Sequence, residues 1–317
     1  MGLISDKMAQ VGCKAGEKPC PTHGRDLGPW RLTGDGFPHP ESHLLRLTNL
    51  WRARLMSAAL SSGTGLPPMT SDHSSNASKR KPSGVSVLMY HQVGEFPSPR
   101  IHRASFCHVN RFKAHMAWLK TAGYHVIPLE DARMGLFGNK ALPARCVVLT
   151  FDDGCDNFRQ HALPVLRHHG YPSAMFLISN MIGKTTEWMT DMDFQSPLMD
   201  RQAVLDIHAQ GDVTFGSHTM NHVRLTQCDN ETARREVFDS KKQLEDILGS
   251  KIVDFCYPYG SYNQRIRDMV KEAGYLTGLT CIRGMADRAE NAYEIPRKAI
   301  SYGDTVPGFW WKLIRRS

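Results

Sequence analysis

The chain has 317 residues, 41% of them apolar and 22% charged, the balance of a globular protein with room for one large domain or two ordinary ones. Residues 1–83 hold 11 Lys and Arg against 6 Asp and Glu, so the other 28 against 25 leave only +3 of the net +8 on the rest of the chain. That thin surplus excludes the broad basic face of a nucleic-acid-binding domain. No apolar run approaches the roughly 18 residues of a membrane span. Nor does a basic start with an apolar core mark a secretory leader, so the expected location is cytoplasmic, with peripheral contact at the inner membrane face as its variant. The eight cysteines are scattered without a C-x-x-C pair, which favours reduced thiols over a disulfide framework or zinc ribbon.

In chain order, residues 1–83 read as a disordered or poorly structured N-terminal extension. A short helix is expected at 42–60, and the Ser-, Pro- and Gly-rich run 61–84 is a linker by composition. From residue 84 to 317 the pattern becomes regular. An apolar opening strand, VSVLMYHQV, is followed by four helical stretches that each end in Gly before a new apolar run: KTAGYHVIPL, RHHGYPSAMFLIS, HAQGDVTFGSH and KEAGYLTGLT. Glycine closes a helix in the left-handed conformation without a Cβ penalty. Helix, glycine and strand in alternation imply an α/β fold with a parallel sheet. Strands are expected at 85–92, 125–128, 145–151, 173–178, 212–217, 252–257 and 275–280. No G-x-G-x-x-G follows any of them, so a distorted (β/α) barrel of about seven strands is favoured over an open doubly wound sheet.

In parallel α/β folds, chemistry collects at the carboxyl ends of the strands. Here those ends carry Tyr90 and His91, the adjacent pair Asp152 and Asp153, His218 with His222, and the tract YPYGSYN from Tyr257. On a helical turn, H-x-x-x-H would put both imidazoles on one face, within reach of one ion. Two neutral His and a carboxylate suit Zn²⁺ or a similar divalent metal with positions open to water. Two solvated histidines on a surface turn would read the same. Adjacent aspartates repel, and helix capping accounts for one of them only. A cation between them and the histidines makes the pair tolerable, with one carboxylate holding the ion and the other taking a proton from water.

TFDDG, then HTMNH, then FCYPYG, in that order, resemble the polysaccharide deacetylases of carbohydrate esterase family 4 over roughly residues 85–300. VLMYHQV and FCYPYG look closest to the branch with the poly-N-acetylglucosamine deacetylases. The resemblance implies a distorted (β/α) barrel and removal of N-acetyl groups from an N-acetylated sugar or polysaccharide by metal-activated water. Asp152 matches the catalytic base, and Asp153, His218 and His222 the metal ligands, with Zn²⁺ favoured over Co²⁺ or Ni²⁺. Thr219 fills the Ser/Thr slot. Tyr259 matches the aromatic residue whose backbone N–H holds the oxyanion, and Pro258 the groove wall.

Two positions depart from the family pattern. Cys256 stands where the family carries an Arg that pairs with the base, and Arg297, in YEIPRKAI, is the candidate to approach Asp152 from another strand. No histidine follows His222, so the late Leu-x-His general acid is missing; His91 is the candidate replacement, with Asp152 returning its own proton as the alternative. Trp188, in the loop 183–197 with Met189, Glu187, Asp191 and Asp193, is a candidate sugar-stacking residue. In GFWWKLIRRS, the paired Trp310 and Trp311 either dock on the barrel or, with the basic residues, meet a membrane surface. Three alternatives stay beside the N-deacetylase: a deformylase or amidase acting on a lipid-linked sugar or small amide, a two-His-one-carboxylate iron oxygenase, and a catalytically impaired sugar-binding relative.

Overall fold

Strands buried on both faces need no polar alternation, and the apolar runs of this chain form such strands. The computed structural model describes residues 84–96, 98–191 and 195–315, all within one compact unit, Asn76–Ser317. The expected helix at 42–60, nearly all of the linker at 61–84, and Asp193 lie outside the described residues.

Among the described residues seven parallel strands close into a ring: β1 (Ser86–Tyr90), β5 (Cys146–Phe151), β6 (Ser173–Leu177), β7 (Val213–Ser217), β8 (Asp254–Cys256), β9 (Thr277–Arg283) and β10 (Ile295–Ala299). Ring closure is the β1–β5 pairing, in register from Ser86 with Val147 to Tyr90 with Phe151. Parallel neighbours need crossovers, and α1 (Val109–Thr121), α2 (Leu129–Leu136), α3 (Leu163–His169), α4 (Arg201–Gln210), α5 (Asn230–Leu248) and α6 (Gln264–Glu272) supply them. The four glycines read as helix stops, Gly123, Gly170, Gly211 and Gly274, all have positive φ.

The expected strand at 125–128 is not a stave of the ring. Only His125–Val126 (β4) is extended, and it pairs with the first residues of β5. Pro128 follows closely and caps α2, so the strand cannot continue. The seventh stave is β10, in which Pro296 would argue against a strand. The register shifts between Ile295 and Arg297, and that bulge accommodates the proline. A second small sheet, not anticipated, pairs β2 (Gln92–Gly94) with β3 (Phe106–His108).

Alternation divides the core. Val87, Val148, Phe176, Cys256, Leu279 and Ile295 belong to one cluster, which α2 joins through Leu129, Ala132 and Leu136. Leu88, Leu149, Met175, Phe215 and Phe255 belong to the other, with Phe112, Leu166, Ile207, Val237 and Val270 of the helices. Each fully buried side chain of this kind contributes about 1.5–3 kcal/mol. The helix α7 (Val306–Ile314) docks through Phe309 and Leu313. Trp310 and Trp311 therefore do not dock on the barrel: one and two positions round from Phe309, they face away from it and are exposed. No described helix is long and apolar enough to cross a membrane.

Gly216 shows how closely the strands approach. A Cβ there would lie 2.6 Å from the Phe176 ring and 2.8 Å from the Asp254 carbonyl oxygen. Gly216→Ala should cost about 1–3 kcal/mol by overpacking, read in equilibrium urea unfolding. Unchanged stability would mean that Phe176 turns aside freely.

Candidate active site

The last ladder bond of β5 runs from Asp152 N–H to the Tyr90 carbonyl at 3.0 Å. The chain then turns at once, with φ of 75° at Asp153 and 80° at Gly154. In a continuing strand the two carboxylates would point to opposite faces. The left-handed step at Asp153 instead lets both face the pocket above the strand ends, and both are buried.

Asp152 is gripped by Arg297 from across the ring. Nη1 donates to Oδ1 and Nη2 to Oδ2, each at 2.8 Å. The guanidinium, itself 1% exposed, also donates to Thr150 Oγ1 at 3.1 Å, to the Thr280 carbonyl at 2.9 Å and to Cys256 Sγ at 3.0 Å. Where a larger side chain would fill this space, the small Cys256 thiol leaves room for Arg297. Burial alone would raise the Asp152 carboxyl; the Arg297 fork overrides it and holds the group well below the usual carboxylate range. Asp153 goes the other way, pushed up by burial and then by the Asp152 charge.

His218 and His222 face Asp153. Asp153 Oδ1 lies 3.6 Å from His218 Nε2 and 3.5 Å from His222 Nε2, and it is a buried oxygen with no hydrogen-bond partner. His218 Nδ1 pairs with the Cys256 carbonyl at 2.8 Å, which fixes the proton on Nδ1 and leaves a lone pair on Nε2. Burial lowers His218 to about 4 and drives His222 well below its ordinary value, so both are neutral at pH 7. An orphaned carboxylate oxygen and two neutral imidazoles, converging within 4.8 Å of one another, are a donor set that fits a divalent cation of the zinc class.

The turn that carries the histidines is not helical. Thr219 and His222 have φ of 66° and 57°, and the imidazoles converge because the loop doubles back. Buried Glu236 of α5 holds it. Its Oε2 accepts from the Met220 and Asn221 N–H groups at 2.9 and 3.0 Å, and its Oε1 from Asn221 Nδ2 at 2.6 Å. Thr219 Oγ1 accepts from His222 N–H at 3.1 Å. Glu236 escaped the sequence reading. The available signal was a carboxylate on the buried stripe of α5, among Ala233, Val237, Ser240 and Leu244.

One cavity takes in Asp152, Asp153, His218, His222, His91, Trp188 and Tyr259. The His91 Nε2 is 3.9 Å from Asp152 Oδ2, and burial lowers its pKa. Trp188 packs on the His222 ring with centroids 4.6 Å apart, and Tyr259 covers it from another side at 4.5 Å. Tyr259 is itself left-handed, with φ of 57°, and carries the Arg224 guanidinium 4.0 Å over its ring. Pro258 is buried as the first residue of that tight turn, and the wall expected of it is formed by Tyr257 and Tyr259. Arg297 lies behind the cavity. Met189, Ser105, Cys281 and His102 complete the lining, and His102 Nε2 meets Asp191 at 2.8 Å. His102 and Ser105 belong to one short 3₁₀ turn and its cap, with no motif to mark them.

Residues 139–278 match the family model of the polysaccharide deacetylases. The Bacillus subtilis (strain 168) protein YxkH is 30% identical over 233 residues, which cover 72% of this chain and 76% of that relative. The chain belongs to the polysaccharide deacetylase family. It is thus a hydrolase of carbon–nitrogen bonds. The poly-β-1,6-N-acetyl-D-glucosamine N-deacetylase of Escherichia coli K12 is 24% identical over 266 residues, 73% of this chain but only 39% of that protein. Among solved structures, the Streptococcus pyogenes deacetylase PplD in complex with acetate shares the fold, with a TM-score of 0.64 at 24% identity, over 74% of this chain and 100% of its own. Against the family pattern of an Arg in the third motif, this deacetylase supplies the guanidinium from β10.

Arg297→Met should leave a buried carboxylate unpaired and cost about 3–5 kcal/mol, with turnover falling sharply. A depressed native pKa stabilises above the unfolded carboxylate value, about 4, and the contribution is lost as pH falls towards the native value. The variant should therefore lose most stability at neutral pH and converge on the parent in acid; parallel pH profiles would refute the pairing. Glu236→Ala should leave the Met220 and Asn221 N–H groups and Asn221 Nδ2 without their acceptor, cost about 1–3 kcal/mol and weaken calorimetric Zn²⁺ uptake about 10–100-fold, with Glu236→Gln intermediate.

Proposed function

We propose that this deacetylase removes N-acetyl groups from an N-acetylated glucosamine polysaccharide, using a divalent cation held by Asp153, His218 and His222, with Zn²⁺ first and Co²⁺ or Ni²⁺ as substitutes. The observation that carries the reading is the pairing of an orphaned Asp153 oxygen between two neutral imidazoles with a neighbouring Asp152 locked in its ionised form. The E. coli relative, which acts on poly-β-1,6-N-acetyl-D-glucosamine, supports the substrate class.

When bound, the cation supplies a Lewis acid for the acetyl carbonyl and acidifies water beside it. Asp152 takes a proton from the water that attacks the carbonyl carbon. The Tyr259 backbone N–H steadies the negative oxygen that forms. Asp152, with its depressed pKa, cannot keep the proton, and His91 stands 3.9 Å away to receive it. His91 then delivers it to the amide nitrogen as the C–N bond breaks. The products are acetate and a free amine, with one water consumed. Trp188 and Tyr259 offer aromatic faces to a sugar ring on either side of His222.

Amine release from chitooligosaccharides and from poly-β-1,6-N-acetylglucosamine is the test. The protein is stripped with chelator and reloaded with Zn²⁺, Co²⁺ or Ni²⁺. Activity should return with metal, and fall about 10²–10⁴-fold in Asp152→Asn and in His91→Ala. Stoichiometric metal uptake with no amine from either glycan would discard the substrate class and direct the search to lipid-linked sugars. Absence of metal uptake would overturn the mechanism.

A further inference from the structure

The inner face of α7 is fully engaged. Phe309 stacks on His115 with centroids 4.1 Å apart and planes 6° from parallel, and meets the edge of Trp118. The Lys298 ammonium donates to the Leu313 carbonyl at 2.8 Å, and Lys312 to the Ala299 carbonyl at 2.8 Å and to Asp304. The helix is held through its middle and its C-terminal turn.

Its outer face is apolar as well. Pro307, Trp310, Trp311 and Ile314 fall at i, i+3, i+4 and i+7, one stripe of the helix, and all are exposed. Trp310 is 41%, Trp311 53% and Ile314 43% exposed, and the two indoles lie side by side with centroids 6.5 Å apart. No acidic residue occurs from 305 to 317, while exposed Arg315 closes the helix and Arg316 follows. Lys312 is tied to Asp304, so the exposed positive charge among the described residues of this helix end is that of Arg315, at the end of the stripe.

We propose that this face rests on an anionic lipid surface, independently of which glycan is cleaved. Indole is the side chain that prefers the headgroup boundary, and the arginines complement phosphate. Apolar anchors joined to basic residues give reversible attachment where either alone is weak. A second copy of the chain fits less well. A nine-residue helix is about 14 Å long, and one face of it falls short of the roughly 800 Å² per partner of a stable protein interface.

The test is co-sedimentation of the full chain with vesicles of phosphatidylcholine alone and of phosphatidylcholine with equal phosphatidylglycerol. The protein should partition to the anionic vesicles at about 0.1 M salt and release as salt rises. Trp310→Ser with Trp311→Ser should lower the partition at least tenfold. Arg315→Gln with Arg316→Gln should lower it on anionic vesicles only. Both pairs should keep the parent's melting temperature and its activity on soluble glycan. The proposal falls if the parent ignores anionic vesicles, or if the Trp pair can be replaced without effect. It also falls if sedimentation velocity shows a dimer that the Trp replacements dissolve, since the occupant is then a second copy.

Discussion

A guanidinium at the centre of a closed barrel, 1% exposed, is tolerable only if every direction around it offers an acceptor or a counter-charge. Arg297 meets that demand with two oxygens of Asp152, one hydroxyl, one carbonyl and one sulfur. The consequence passes outward. Burial, and then the Asp152 charge beside it, push the Asp153 carboxyl up. The arginine grips one carboxylate and leaves its neighbour without a hydrogen-bond partner on Oδ1, so two adjacent aspartates have opposite character.

The backbone around them is correspondingly unusual. Among the described residues six non-glycine residues have positive φ, and Asp153, Thr219, His222, Tyr259 and His102 among them are at the cavity or in the turn beneath it. Each such residue costs of order 1–3 kcal/mol and persists only where its surroundings over-determine it. Glu236 and the pairing of Ser179 N–H with the Thr219 carbonyl are surroundings of that kind. Alternation and helical spacing would not bring these side chains together; left-handed steps do.

That explains what was legible in the sequence. The ring's strands announced themselves as apolar runs, and the helix stops as glycines, because both signals are local. The D-D and H-x-x-x-H pairs were visible for the same reason, although a helical turn was the wrong backbone for the second. Thr219 and His222 at positive φ leave no trace in residue type. The strand β10 was blurred by Pro296, whose bulge depends on neighbours far away in sequence. Glu236, Cys281, His102 and the arc of α7 that faces the barrel depend on tertiary packing, which periodicity does not encode.

The bond between Arg297 and Asp152 joins residues 145 positions apart and spans most of the barrel in sequence. Loops of that length close late, after local helices and neighbouring strand pairs have formed. Until β10 is seated, Asp152 lacks the guanidinium that pairs with both of its oxygens. Its partner arrives only with β10, the last strand of the ring in chain order. The pairing of Asp152 with Arg297 is thus a property of the finished barrel, absent from β5 alone however well its motif is preserved.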